Sequence, residues 1–245
     1  MSDQISELTT NRLSLYFRYL TELEDRGVRT VSSNVLAQEF GLTAALIRKD
    51  LSNFGDFGIR GVGYVVKDLS SQLRIILGLD QFLRVAIMGA GNLGLALADY
   101  QGFGQDGFRI VALFDNAREK TGLSSKRGVP IFHISDLPAV VKNEEIAIAV
   151  IAVPASSAQQ VVNHVVESGI KAVLNFSPGT LRVPSPVKVK NVDFTVSLES
   201  LSFFLANQDV HEARGKVTRD MKKNRRGDAY GWSDGGTKPR KIKPR

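Results

Sequence analysis

The residues best placed to do chemistry begin at Gly89. In VAIMGAGNLGLALADY (85–100), a run with buried-strand character ends in Gly89, Gly91 and Gly94, and a helix-like run follows. Glycines at this spacing meet three steric needs of a dinucleotide turn: a tight reversal, close approach of backbone to a pyrophosphate, and close packing of helix on strand. The turn comprises Gly89, Ala90, Gly91, Asn92, Leu93 and Gly94. A helix opening at Asn92 aims its unpaired N–H groups and its dipole at the phosphates. GxGxxG alone is a weak signal. Here it follows a strand pattern, and Asp115 comes 21 positions after Gly94, at the end of FRIVALFD. A carboxylate there accepts hydrogen bonds from ribose hydroxyls and repels a 2′-phosphate, which favours NAD(H) over NADP(H). Arg118 and Lys120 close by soften that preference.

A dehydrogenase also needs a group that moves the substrate proton. No tyrosine of this chain has a lysine four positions later, and His133 and His164 fall in or beside predicted elements as surface or packing residues. We therefore assign no catalytic residue. The rival reading is an NAD-dependent oxidoreductase whose N-terminal helices serve dimerisation. The chain has no cysteine and only three scattered histidines, which excludes disulfides and thiolate chemistry and argues against a metal site.

A second chemistry sits near the N-terminus. LTAALIRKDLSNFG places Leu46, Ile47, Leu51 and Phe54 on one side of a helix and Arg48 and Lys49 opposite them. Arginine in a major groove pairs bidentately with guanine, and lysine reaches guanine or phosphate. Arg60 in the glycine-rich stretch that follows can reach phosphate or the minor groove. Residues 1–79 balance at nine basic and nine acidic side chains, so this local face, and not bulk charge, has to carry DNA binding.

These groups need elements to hold them. TTNRLSLYFRYLTELEDRG reads as a helix stopped at Gly27; SSNVLAQEFG as a short helix with Ser32 or Ser33 as cap, stopped at Gly41; and the Arg48 segment as the next helix, capped by Thr43. Two short helices around a glycine form a helix-turn-helix, and GIRGVGYVVKDL supplies a hairpin or wing. SSQLRIILG reads as a linking helix with a turn at Gly78. From Leu83 onward, apolar strands alternate with helices, the pattern of a parallel sheet covered on both faces. VDFTVSLESLSFFLANQ reads as a strand piece and an apolar helix.

The net charge of +7 is uneven: residues 214–245 carry 12 Lys/Arg and 3 Asp/Glu, a net of +9, leaving 20 against 22 in the first 213. That basic tail reads as disordered, and it could act alone as a non-specific nucleic-acid binder. No apolar run reaches membrane length and the start lacks an apolar leader, so the expected location is cytoplasmic.

Taken in order, RLSLYFRYL, TAALIRKDLSNFGDFGIRGVGY, GAGNLG running into LALADYQGF, NFSP and NVDF resemble the Rex family of redox-sensing transcriptional repressors over about residues 5–210. The resemblance implies an α/β chain: an N-terminal winged helix-turn-helix domain (1–79), a Rossmann-like doubly wound parallel-sheet NAD(H)-binding domain (80–196) and a domain-swapped C-terminal dimerisation helix (197–212); it says nothing of the basic tail (213–245). It implies a homodimer on double-stranded operator DNA, released when NADH replaces NAD⁺, with no membrane or metal partner. By residue, Arg48, Lys49 and Ser52 match the recognition helix, Arg60, Gly61 and Tyr64 the wing, the 89–94 turn the phosphate site, and Asp115 the ribose ligand. Tyr100 and Phe176 match residues near the nicotinamide, and Arg18 and Asp193 a charged pair that reports redox state between subunits. The chain departs from the family in having Gln101 where a proline is usual, and in its tail.

Overall fold

In the computed structural model, residues 5–105 and 107–207 are described; 5–192 belong to one compact unit and 193–207 to a second. The expected helix residues 208–212 and the tail 213–245 lie outside the described residues.

The first elements build around α1 (Glu7–Asp25). Ser6 caps it, its hydroxyl accepting from Thr9 N–H, and Leu13, Tyr16, Leu20 and Leu23 recur on the face it buries. Ser32 caps α2 (Ser33–Phe40), and Gly41 ends it at φ +62°, a conformation that costs glycine no Cβ clash. Thr43 caps α3 (Ala44–Ser52), its hydroxyl accepting from Leu46 N–H at 3.2 Å. Leu36 of α2 and Ile47 and Leu51 of α3 close one core with α1 and with α4 (Val66–Ile76). β1 (Thr30–Val31), β2 (Gly58–Ile59) and β3 (Gly63–Val65) form an antiparallel sheet in the order β1-β3-β2. Helix, helix-turn-helix and hairpin together are a winged helix. α4 starts straight out of β3, four residues before the expected SSQ.

The rest of the compact unit is a six-stranded sheet in the order β6-β5-β4-β7-β8-β9, every pairing parallel. The strands are β4 (Leu83–Met88), β5 (Phe108–Asp115), β6 (Ile131–His133), β7 (Ile148–Ile151), β8 (Ala172–Asn175) and β9 (Lys188–Asn191). This is the doubly wound order, with its reversal between β4 and β7. On one face Met88, Phe114 and Ile151 pack under α7 (Leu137–Asn143) and α8 (Ala155–Glu167). On the other, Val85, Ile87, Leu113 and Val150 meet α5 (Asn92–Asp99) through Ala98.

Three details differ from expectation. NLGLALADYQG is not one helix: Tyr100 is extended (φ −72°, ψ 122°) and a single-turn α6 (Gly102–Gln105) follows. Tyr100's ring lies where a Cβ on Gly102 would be, 2.5 Å away. The last strand is Lys188–Asn191, ahead of the VDF piece, and the terminal helix α9 spans 194–207, opening at Asp193, whose carboxylate accepts from Thr195 N–H at 2.8 Å.

Candidate functional site

The 89–94 turn follows β4 directly. Gly89 has φ +107°, and a Cβ there would sit 2.5 Å from the carbonyl oxygen of Ala152 on the neighbouring β7 side. A Cβ on Gly94 would lie 1.8 Å from the oxygen of Gly89, so helix and strand pack only with glycine at that point. Gly91 is different: it has extended backbone and nothing within 4 Å of its would-be Cβ. It is the N-cap of α5, and no side chain caps the helix, which leaves first-turn N–H groups for an anion.

Above the turn lies a cleft of about 410 Å³ at the carboxyl ends of β4, β5 and β7, which is the topological switch point. Gly89, Gly91 and Asp115 line it. Asp115 accepts from Ala90 N–H (2.9 Å), from Ala117 N–H (2.9 Å) and from the Lys120 ammonium (2.9 Å). Burial works against its charge, yet the ammonium and the two amides outweigh burial and hold the carboxyl below the usual carboxylate range. Asp115 therefore braces the glycine turn through Ala90 as well as facing the cleft.

Sequence reasoning missed the opposite wall. Val153 and Pro154 follow β7, and Ser157, Gln160, Val161 and His164 face the cleft from α8. The signal was available in IAVPASS, a strand end running into a helix start. His164, read as a surface or packing residue, lines the cleft with its Nδ1 3.5 Å from Glu167.

Not every expected ligand faces this cleft. Ala90, Asn92, Leu93 and Gly94 complete the turn without lining it, and Phe176 packs against the Val85–Ile87 core. Tyr100 is exposed, stands edge-on to Phe103 at 5.1 Å, and lines a second hollow of about 700 Å³. Its floor is the sheet face that α5 covers only in part (Val85, Phe108, Ile110, Ile148, Val150, Leu174), and α1 adds Thr10, Asn11 and Arg18. Lys190 of β9 ties α1 there, 2.6 Å from Asn11 Oδ1.

On the winged helix, Arg48, Arg60, Gly61 and Tyr64 surround a third hollow of about 440 Å³ between α3 and the wing. Arg48 is exposed and donates to Ser33 Oγ at 2.9 Å; Lys49 is exposed beside it, and the Ser52 hydroxyl donates to the carbonyl of Lys49. Tyr64 is only 6% exposed, so its ring serves the core more than the surface. Behind this face, Asp50 is 2% exposed and takes a two-pronged ion pair from Arg12 (2.6 and 2.7 Å) and a hydrogen bond from the Tyr16 hydroxyl (2.9 Å). α3 is thereby bolted to α1 through its buried side while Arg48 and Lys49 stay outward. Among the described residues there is no cluster that could hold a metal, and no helix long and apolar enough to cross a membrane.

Comparison with known proteins gives two family matches: a model described as "CoA binding domain" over residues 80–179 and one described as "Putative DNA-binding protein N-terminus" over residues 4–52. The chain is 47% identical to the redox-sensing transcriptional repressor Rex of Carboxydothermus hydrogenoformans, over 82% of this chain and 96% of that protein. It is 50% identical to the Rex of Syntrophomonas wolfei, over 83% and 96%. Among solved structures, RSP in complex with beta-NAD+ and operator DNA superposes with a TM-score of 0.80 at 37% identity, over 86% of this chain and 97% of that one. RSP in complex with beta-NADH gives 0.77 at 35%, over 86% and 99%.

Proposed function

The chain belongs to the Rex family of redox-sensing transcriptional repressors, and from that premise we propose which of its residues carry each half of the switch. It is a regulator and not an enzyme, it acts in the cytoplasm, and its ligands are NAD(H) and operator DNA. The dinucleotide lies across the switch-point cleft, with its pyrophosphate over Gly91 and the first turn of α5. Its adenosine ribose meets Asp115, and its nicotinamide end reaches toward Tyr100 and Phe176. Operator DNA meets Arg48, Lys49 and Ser52 of α3 and Arg60 and Gly61 of the wing, with Tyr64 supporting the wing from beneath.

A homodimer follows from the bare sheet face. An apolar face of a parallel sheet needs a cover, and 194–207 exposes Leu198, Leu201, Phe203, Phe204 and Leu205. A second copy's helix in the 700 Å³ groove supplies that cover. Arg18 stands in the groove wall and Asp193 opens the helix, which supports their pairing between subunits.

The two oxidation states of the nicotinamide differ by one charge and in ring planarity, and each favours a different domain arrangement. A 100-fold change in DNA affinity requires a differential binding energy of about 2.7 kcal/mol. The observation that carries this reading is a winged helix and an open dinucleotide cleft built into one compact unit. Titrating operator duplex in NAD⁺ and then in NADH, at fixed salt, tests it: affinity falls in NADH, and equal affinity in both refutes the reading. The oxidoreductase alternative predicts steady NADH turnover and indifference to DNA.

A further inference from the structure

The carboxylate expected to repel a 2′-phosphate does not stand alone. A carboxylate offers about four lone-pair positions. On Asp115, Oδ2 takes both Ala90 N–H and the Lys120 ammonium, and Oδ1 takes Ala117 N–H. One position is left for a ribose hydroxyl. The Lys120 ammonium lines the same cleft and donates hydrogen bonds, so a group that approaches the carboxylate also meets a donor. Among the described residues lining the cleft, Lys120 is the one lysine or arginine; Arg118, two positions earlier, is exposed and does not line it.

We propose that Lys120 sets how well this chain tolerates a 2′-phosphate on its dinucleotide, so that NADPH is a second, weaker ligand of the cleft and not an excluded one. The inference rests on the proposed nucleotide site. Its physical basis is charge: Lys120 Nζ at 2.9 Å cancels much of the Asp115 field at the point where a 2′-phosphate enters, and adds a donor for it. The Lys120 side chain is 37% exposed, so screening limits the effect. We expect about a tenfold change in selectivity, ~1.4 kcal/mol. The local fold supports the placement: a single 3₁₀ turn over Arg118–Lys120, closed by Thr121 N–H on Arg118 O, carries the lysine back over Asp115.

The test is calorimetric titration of the full chain with NADH and, separately, with NADPH at one ionic strength. The readout is the ratio of the two dissociation constants. Lys120→Gln raises the NADPH/NADH ratio about tenfold, because the carboxylate keeps its two amide donors but loses its counter-charge. Asp115→Asn leaves the ammonium unopposed and lowers the ratio, and adding Lys120→Gln to it restores the ratio. A general loss of folding moves both nucleotides together and cannot produce these opposite shifts. A rise of less than about threefold in Lys120→Gln, or an unmoved ratio in Asp115→Asn, overturns this inference alone. Failure of the unaltered chain to bind NADH overturns the proposed site and this inference with it.

Discussion

Gly91→Ala and Gly94→Ala separate what the turn needs to fold from what it needs to bind. At Gly94 a Cβ would stand 1.8 Å from the oxygen and 3.0 Å from the carbon of the Gly89 carbonyl, and 3.4 Å from Ile87 Cγ2. The obstruction is backbone and cannot rotate away. Overpacking with some room to adjust costs about 1–3 kcal/mol, and this site has little room. Alanine recovers about 1 kcal/mol through helix propensity and a stiffer unfolded chain. The net loss is about 2 kcal/mol or more, a fall in Tm of roughly 4–8 °C at this chain length. At Gly91 the backbone is extended, which alanine adopts freely, and a Cβ meets nothing within 4 Å. The poorer N-cap costs up to about 1 kcal/mol, and the stiffer unfolded chain returns a similar amount. Tm therefore stays within about 2 °C. The added methyl occupies the approach to the first-turn N–H groups, and moving a pyrophosphate off them costs at least about tenfold in NADH affinity. Thermal denaturation and NADH titration on the same preparations read both effects. NADH binding by Gly91→Ala at parental affinity, or parental melting of Gly94→Ala, refutes the division of labour.

Arg12→Met strands a buried carboxylate, since Asp50 is 2% exposed and takes two of its three hydrogen bonds from Arg12; urea unfolding then reads a loss of about 3 kcal/mol. Arg48→Ala gives up only an exposed bond to Ser33 Oγ, so stability stays within about 0.5 kcal/mol while operator preference over random duplex falls by about 1–3 kcal/mol in competition gel shifts. Asp115, whose carboxyl is depressed in the folded chain, contributes stability that is complete above its unfolded value near pH ~3.9 and is lost as pH falls through the folded value. Urea midpoints of Asp115→Asn therefore decline less than the parent's between about pH 5 and about pH 3. Phe204→Asp puts a charge on the exposed apolar side of 194–207, and sedimentation reports a shift from dimer to monomer.

Local signals in the sequence translate well. FRIVALFD spans the whole of β5, because a strand buried on both faces is written as an unbroken apolar run. Ser32 and Thr43 cap their helices through the hydroxyl-to-amide bond that the residue types foretell. The misses share a cause. Nothing local to Asp50 says that Arg12 and Tyr16, 38 and 34 positions earlier, close over it. Lys188–Asn191 carries no strand signal because lysines alternate through it, yet lysines are what an exposed edge strand uses to resist further pairing. The α8 wall of the cleft belongs to the same class: Ser157 and His164 become neighbours of Gly89 only once β7 lies beside β4.

The groove carries that argument furthest. The sequence predicts a sheet covered on both faces, and the winding delivers helices unevenly. α7 and α8 cover one side, α5 covers part of the other, and β8 passes to β9 through residues 176–187 without a helix. Ile110, Ile148 and Leu174 are left only partly buried, and seven large apolar side chains of 194–207 are exposed as well. Burying one such side chain is worth about 1.5–3 kcal/mol, so a docked side that buries about five of the seven gives on the order of 8–15 kcal/mol before losses. Association costs about 4–15 kcal/mol, so one helix docked on one partner roughly breaks even. A reciprocal exchange doubles the burial, to on the order of 15–30 kcal/mol, against a single association cost. This balance supports the proposed twofold dimer with both helices exchanged, in which the bare face and the exposed helix cover each other. Under the function proposed above, that exchange is what sets Asp193 of one copy against the groove lined by Arg18 and Tyr100 of the other.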